Sequence, residues 1–330
     1  MTSTRTRILI TDSDFGSTEI EQRIADAHDV ELTLAQCRTE DDVLRAAEGM
    51  DGLVVQYAPI TRRVIEGLPG LKAIGRYGVG VDTVDVEAAT DHGVAVSNVP
   101  DYGVDDVSDH AIALAIALGR GLPDLDRGVR EGRNALHSVG PLHRFSSQRF
   151  GVVGLGLIGA ATAAKAKALG YTVAGYDPLR TPGTTTDEGV AVLTFEELLA
   201  TSDVVSLHVP LNRHTHHLIN AGTLGLFKPG ATLVNTCRGG VVDTAALVEA
   251  LRDGRIGAAG LDVFEEEPLP LTSPLLGLDR VLLTPHAAWY TEESSVELKR
   301  RTVENVIDVC QGRTPRNILN PDVLAARPVR

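Results

Sequence analysis

The sequence predicts an α/β protein made of two Rossmann-like parallel-sheet domains, one inserted into the other. Three observations point there. Short apolar, strand-like runs alternate with helix-like runs along most of the 330 residues. A glycine fingerprint, Gly154-Leu155-Gly156-Leu157-Ile158-Gly159, lies between a strand-like run and an Ala-rich helical run. A full set of βα units precedes that fingerprint. The economical arrangement is therefore an interrupted one: residues 1–99 and 291–330 form one domain, and residues 100–290 form the other. Pro100 and Pro285 are plausible crossing points, and residues 292–311 have the helical spacing and length to bridge back.

Taken in order, Ile8-Leu9-Ile10, Leu53-Val54-Val55, Leu71-Lys72-Ala73-Ile74 and Val94-Ala95-Val96 read as parallel strands, with residues 39–48 and 84–90 as helices between them. Residues 104–119 read as an apolar helix. Phe150-Gly151-Val152-Val153 is a buried strand, residues 160–170 form a helix closed by Gly170, and residues 171–176 form a strand that ends at Asp177. Further strands are expected at residues 190–193, 204–207, 232–234, 260–263 and 281–283.

The fingerprint has the setting that dinucleotide binding needs, with an acidic residue about 20 positions on. The first two glycines admit a pyrophosphate to the backbone at the start of a helix. Expected cofactor contacts run along Gly154, Gly156, Leu157, Ile158 and Gly159. Leu157 offers the pyrophosphate no side-chain charge. Asp177 would accept from ribose hydroxyls and repel a 2′-phosphate, which favours NAD over NADP. Arg180, close behind, is either a solvated charge or a residue that softens this preference.

The net charge of −13 argues against non-specific binding to nucleic acid or to anionic membranes. The longest apolar stretch, residues 111–118, is too short to span a bilayer, and no signal-peptide region precedes the first strand. Cys37, Cys237 and Cys310 show no metal-ligand or disulfide spacing. A reducing, cytoplasmic setting fits, and no metal is expected; Cys237 reads as a small buried residue. The cluster of His214, His216 and His217 lies in a polar linker and resembles a ligand set only superficially.

Arg238, Glu267 and His286 carry the chemistry. Arg238 follows Asn235-Thr236-Cys237 and precedes two glycines. Glu267 ends Asp262-Val263-Phe264-Glu265-Glu266-Glu267-Pro268. His286 follows Thr284-Pro285. A guanidinium grips a carboxylate with parallel hydrogen bonds, an imidazole moves a proton near neutral pH, and a carboxylate fixes the imidazole tautomer. That set suits oxidation of a 2-hydroxy acid if another group carries the hydride. Glu265 and Glu266 read as solvated, and Asp109-His110 as support behind the site.

With these motifs in this order, the chain resembles the D-isomer-specific 2-hydroxyacid dehydrogenases over nearly its whole length. Gly75-Arg76-Tyr77-Gly78-Val79-Gly80-Val81-Asp82 and Ser206-Leu207-His208-Val209-Pro210-Leu211 add to the likeness. The resemblance implies an NAD-binding domain inserted into a flavodoxin-like substrate domain, with a ligand cleft between the lobes, and a homodimer formed through the NAD domain. It implies that Arg238 binds the substrate carboxylate and carbonyl oxygen, that His286 is the acid/base, and that Glu267 pairs with His286 and raises its pKa. Val79 and Gly80 amides would hold the carboxylate, and Arg76 and Tyr77 would sit in the substrate pocket. His208, Val209, Pro210, Thr215, Thr236, Cys237, Arg238 and His286 would border the cofactor, with Asp262 receiving the nicotinamide carboxamide. Arg76 either contacts substrate or supports its loop.

A narrower resemblance, to the C-terminal binding protein branch, rests on His286-Ala287-Ala288-Trp289-Tyr290. Trp289 either walls the substrate pocket, selecting an apolar or thioether side chain, or packs the hinge. The expected activity is reduction of a small 2-keto acid. An NAD(H)-sensing corepressor-like module is the alternative from another class, and oxidation of phosphite is another within enzymes. Glu267, where formate dehydrogenases carry Gln, argues against formate.

Overall fold

A computed structural model describes residues 5–133, 136 and 139–325. The chain divides into two compact units, Met1–Tyr102 with Thr291–Arg330, and Gly103–Tyr290. The first unit runs β1 (Thr6–Ile10), α1 (Glu19–Ala27), β2 (Val30–Leu34), α2 (Glu40–Ala46), β3 (Gly52–Val55), α3 (Arg62–Glu66), β4 (Ala73–Arg76), α4 (Val86–Asp91) and β5 (Ala95–Ser97). The second runs α5 (Val104–Gly119), α6 (Leu122–Arg130), β6 (Arg149–Val153), α7 (Leu157–Ala168), β7 (Thr172–Tyr176), β8 (Ala191–Val192), α8 (Phe195–Thr201), β9 (Val204–Leu207), α9 (Ala221–Leu224), β10 (Ala231–Asn235), α10 (Thr244–Arg252), β11 (Ile256–Leu261) and β12 (Val281–Leu283). The chain then returns to the first unit with α11 (Glu292–Cys310) and α12 (Asp322–Ala325).

The first sheet is parallel, in the order β2-β1-β3-β4-β5. Its central strands are buried on both faces, as sheets covered by helices require. The returning α11 lies directly on it. A Cβ on Gly52 of β3 or on Gly75 of β4 would come within 2.5 Å of a Val306 methyl, so glycine at both points lets the helix settle onto the sheet. The tail also covers the β5 edge: Asn320 accepts from the Val96 amide and donates to the Val94 carbonyl, as a neighbouring strand would. Two details depart from expectation. Leu71 belongs to a turn, its amide bonded to Leu68, and β4 starts at Ala73. Strand β2 has no continuous apolar run because it is an edge strand, with only Val30 buried.

The second sheet is also parallel, in the order β12-β11-β10-β9-β6-β7-β8. Chain order reverses between β6 and β9, the switch point where open α/β sheets place ligands beyond their carboxyl ends. Helix α5 packs on β11, where a Cβ on Gly260 would meet Leu114 at 2.9 Å. Strand β11 ends at Leu261, short of the expected Val263; the Asp262 amide still bonds the Asn235 carbonyl of β10, and its side chain holds the next loop. Among the described residues, no helix is long and apolar enough to cross a membrane.

Candidate active site

The fingerprint forms a cradle at the end of β6. Gly154 has φ +94°, and a Cβ there would lie 2.3 Å from the His208 carbonyl oxygen, so only glycine lets the loop pass β9. A Cβ on Gly159 would lie 1.9 Å from the Gly154 oxygen, which sets α7 against the loop. Gly156 is different: nothing lies within 4 Å of its Cβ position, and no side chain caps α7. The first amides of the helix therefore face open space beside a bare backbone, as a pyrophosphate site needs. Leu157 is largely exposed at the first helical position.

Asp177 closes β7 and ties the cradle together. Its Oδ2 accepts from the Leu155 amide at 2.9 Å and its Oδ1 from the Leu179 amide at 2.9 Å. Arg180 is exposed, its amide bonded to the Asp177 carbonyl. Across the switch point, His208 contacts Ser206 Oγ through Nε2 at 2.8 Å, and burial holds its pKa down at about 4, so the ring is neutral. Val209 is buried and Pro210 exposed; the Pro210 carbonyl accepts from Thr215 Oγ1 at 2.5 Å. At the end of β10, Thr236 is buried with a hydroxyl that has no partner among the described residues. A bare helix terminus, an acid at the second strand and an unpartnered hydroxyl together fit a dinucleotide.

Arg238 and its neighbours stand on a tight turn after β10. Asn235 is buried; it accepts from the Cys237 amide and donates to the Arg238 carbonyl, both at 3.0 Å. Burial raises the Cys237 thiol, and its Sγ contacts Asn235 Oδ1, so it is not an activated nucleophile. Arg238 is extended, with Nη1 donating to the Cys237 carbonyl at 2.7 Å. Next to it, a Cβ on Gly239 would lie 1.8 Å from the Phe264 carbonyl carbon. That contact brings the Glu267 segment against the Arg238 turn.

Glu267 Oε1 accepts from the Phe264 amide at 3.0 Å, and its Oε2 lies 2.7 Å from His286 Nδ1. Burial pushes the Glu267 carboxyl up. The hydrogen bond and charge of His286, the Phe264 amide and the field of Arg238 together outweigh it and hold the group below its ordinary value. With Nδ1 engaged, Nε2 is the nitrogen left for chemistry. His286 itself has φ +53°, a strained conformation for a non-glycine residue. Asp262 holds it there. Its carbonyl accepts from the His286 amide at 2.7 Å, while its carboxylate accepts from Thr284 Oγ1 at 2.6 Å and from the Ala287 and Ala288 amides at 2.9 Å. His110 Nε2, on α5, completes the chain 2.9 Å from Thr284 Oγ1.

Asp262 is fully buried, and its carboxylate holds the 284–288 turn, which positions His286. Tyr77 is 2% exposed, and its hydroxyl donates to Glu21. Arg76 is buried with its guanidinium against Gly78, where a Cβ would lie 1.6 Å from Nη1. Glu265 is exposed, as expected, and also bonds His217 Nε2 at 2.6 Å and the Thr244 amide at 2.8 Å. Val79 and Gly80 stand at the open carboxyl edge of the first sheet, with Val79 exposed. Trp289 is half-buried, edge-on to Tyr290, with its backbone beside Gly103 at the start of α5. The supporting roles of Gly239 and Asp262 left faint signals in the sequence: a glycine pair after Arg238, and an acid at a strand end.

A parallel α/β unit with this cradle and an Arg, Glu and His set beside it defines a nicotinamide-dependent oxidoreductase. A profile described as D-isomer specific 2-hydroxyacid dehydrogenase, NAD binding domain, matches residues 112–288, within the second unit. A glyoxylate reductase of Korarchaeum cryptofilum is 42% identical over 290 residues, 87% of each chain. A D-3-phosphoglycerate dehydrogenase of Archaeoglobus fulgidus is 37% identical over 88% of this chain, which spans 55% of that longer protein. The crystal structure of a D-lactate dehydrogenase from Aquifex aeolicus, complexed with NAD and lactic acid, is 29% identical with a TM-score of 0.84, covering 95% of this chain and 99% of that one. The chain belongs to the D-isomer-specific 2-hydroxyacid dehydrogenase family. It is an NAD-dependent oxidoreductase of 2-hydroxy acids.

Proposed function

We propose that the chain reduces a small 2-keto acid, glyoxylate first among candidates, to the corresponding 2-hydroxy acid. The single observation that carries the catalytic assignment is the 2.7 Å contact between Glu267 Oε2 and His286 Nδ1, which leaves Nε2 free. NADH supplies the hydride to C2 of the substrate. Arg238 holds the carboxylate and polarises the carbonyl, stabilising the negative charge that grows on oxygen. His286 delivers its proton from Nε2 to that oxygen, and the ionised Glu267 stabilises the charged ring beforehand and keeps its tautomer afterwards. In the oxidation direction Nε2 takes the hydroxyl proton. Glyoxylate heads the list because a glyoxylate reductase is 42% identical to this chain. The domain roles follow: the second unit holds NAD and the first takes the acid. A homodimer through the NAD unit is part of the same reading.

The test is turnover with NADH of a panel of glyoxylate, pyruvate, hydroxypyruvate, phenylpyruvate and a methylthio-substituted keto acid. His286→Ala should reduce kcat for the best substrate by about 10²–10⁴-fold, the usual worth of a general acid. Undiminished turnover in that variant sinks the assignment. Preference for the larger keto acids would instead favour Trp289 as a selecting wall.

A further inference from the structure

The first unit contains a buried ionic cluster that this chemistry does not use. Glu21 of α1 is completely buried. Its Oε1 accepts from the Tyr77 hydroxyl at 2.8 Å, and its Oε2 has no partner among the described residues. Lys299 of α11, also buried, places Nζ 3.8 Å from Glu21 Oε1 and 5.4 Å from the centre of the Phe15 ring, and donates to the Ser17 carbonyl. Phe15 meets the Tyr77 ring edge-on at 5.1 Å. Burial and the Glu21 charge push the Tyr77 hydroxyl well above its ordinary pKa, so it remains a donor. A pair this buried adds little net stability over apolar residues of the same volume, but it fixes geometry.

What it fixes is the loop after β4. Tyr77 leads into Gly78-Val79-Gly80. The Gly78 carbonyl accepts from the Val99 amide at 3.0 Å, and the Val79 carbonyl from Asn98 Nδ2 at 2.6 Å. Asn98 is held in turn by Asn305 of α11. The carbonyls are thus drawn inward, while the Val79 and Gly80 amides bond to nothing among the described residues. Two such successive amides make an anion-binding concavity.

We propose that Glu21, Tyr77 and Lys299 are positioning residues that set the Val79 and Gly80 amides as a receptor for the carboxylate of the 2-keto acid. This rests on the reading that the protein reduces such acids. None of the three touches the substrate. Each acts through the loop that Tyr77 anchors.

The test is steady-state kinetics of the full chain with NADH and its best keto acid, beside calorimetric titration of the NADH-saturated enzyme with oxamate, an unreactive 2-keto acid mimic. Tyr77→Phe keeps the ring and removes the hydroxyl. It should raise the keto acid KM and the oxamate Kd about tenfold, roughly one hydrogen bond's worth, with the KM for NADH unchanged. Glu21→Gln should raise both as well, since it keeps an acceptor for Tyr77 but strands the Lys299 charge. Adding Lys299→Met to Glu21→Gln removes both charges and should restore them. A Tyr77→Phe enzyme that melts earlier but keeps its keto acid KM overturns the proposal. If Tyr77→Phe does not fold, a Glu21→Gln rise that the double variant fails to reverse overturns it. Arg238→Lys separates the two levels. If it raises the keto acid KM and Tyr77→Phe does not, only the positioning role falls. If Arg238→Lys has no effect either, the reading of the reaction falls with it.

Discussion

The backbone of Gly239 packs directly on that of Phe264, so closely that a Cβ on Gly239 would lie 1.8 Å from the Phe264 carbonyl carbon. Arg238 comes from the loop after β10 and Glu267 from the loop after β11, and this backbone contact keeps the two loops in register. Phe264 in turn donates its amide to Glu267. The guanidinium and the carboxylate are therefore placed relative to one another by main chain rather than by flexible side chains.

Gly239→Ala should separate the two loops. A shift of about 1 Å at catalytic groups costs roughly 100-fold in rate, so kcat/KM for the keto acid should fall by about that factor. Thermal unfolding should show a loss of about 2–3 kcal/mol from the steric conflict. NADH affinity, measured by fluorescence titration, should change far less. An alanine variant with wild-type kcat/KM would show that the contact is not needed for registration.

Glu267→Gln keeps a hydrogen-bonding group beside His286 and removes its charge. A loss of about 10²-fold in kcat is expected, with KM for NADH unchanged. In the native protein the Glu267 carboxyl lies below its unfolded value of 4.5. Its favourable interactions are thus fully present above pH 4.5 and are lost as pH falls through the folded pKa. Inactivation traced to Glu267 should therefore begin only below pH 4.5. A pH–rate series on both forms decides the matter, and superimposable profiles would count against the pairing.

Asp177→Ser should bring NADPH into use by removing the charge that repels a 2′-phosphate. The substitution also removes the acceptor for the Leu155 amide, so NADH affinity should drop by about 1–2 kcal/mol, near tenfold. The ratio of kcat/KM for the two cofactors is the readout. An unchanged ratio would shift the source of the preference to other residues, Arg180 included.

His208 makes stability depend on acid. Its folded pKa is about 4 against 6.5 when unfolded, so the unfolded chain binds the proton more tightly. The stabilisation is fully present above pH 6.5 and is lost as pH falls from 6.5 towards 4, by at most about 3 kcal/mol. His208→Gln, which retains a partner for Ser206, should flatten the curve of melting temperature against pH in that window. An equal slope in both proteins would place the effect elsewhere.

Elements with two buried faces or strong periodicity could be read from the chain alone. Strand β9 and helix α5 fall where their apolar runs predict, at Val204–Leu207 and Val104–Gly119. Strand β2 could not be read, since an edge strand with a single buried residue has no continuous apolar signal. At the site, Arg238, Glu267 and His286 stood out because their local settings are distinctive. The supporting contacts of Asp262 and Tyr77 were not legible. The three donors that Asp262 accepts from a later turn are tertiary hydrogen bonds between residues distant in the chain. Glu21 and Lys299 gave no signal, because a buried ion pair between α1 and α11 looks in sequence like two ordinary helix-surface charges.

Val306, whose methyls fill the space over Gly52 and Gly75, has a consequence for biosynthesis. The ribosome releases the N-terminal strands long before it makes the helix that seals them, and it completes the whole cofactor unit in between. Domains generally mature as they emerge, so the cofactor unit can reach its native form first, while the older N-terminal sheet waits with one face uncovered. Translational pausing or chaperone capture should therefore act on the earliest-made part of this chain rather than the latest.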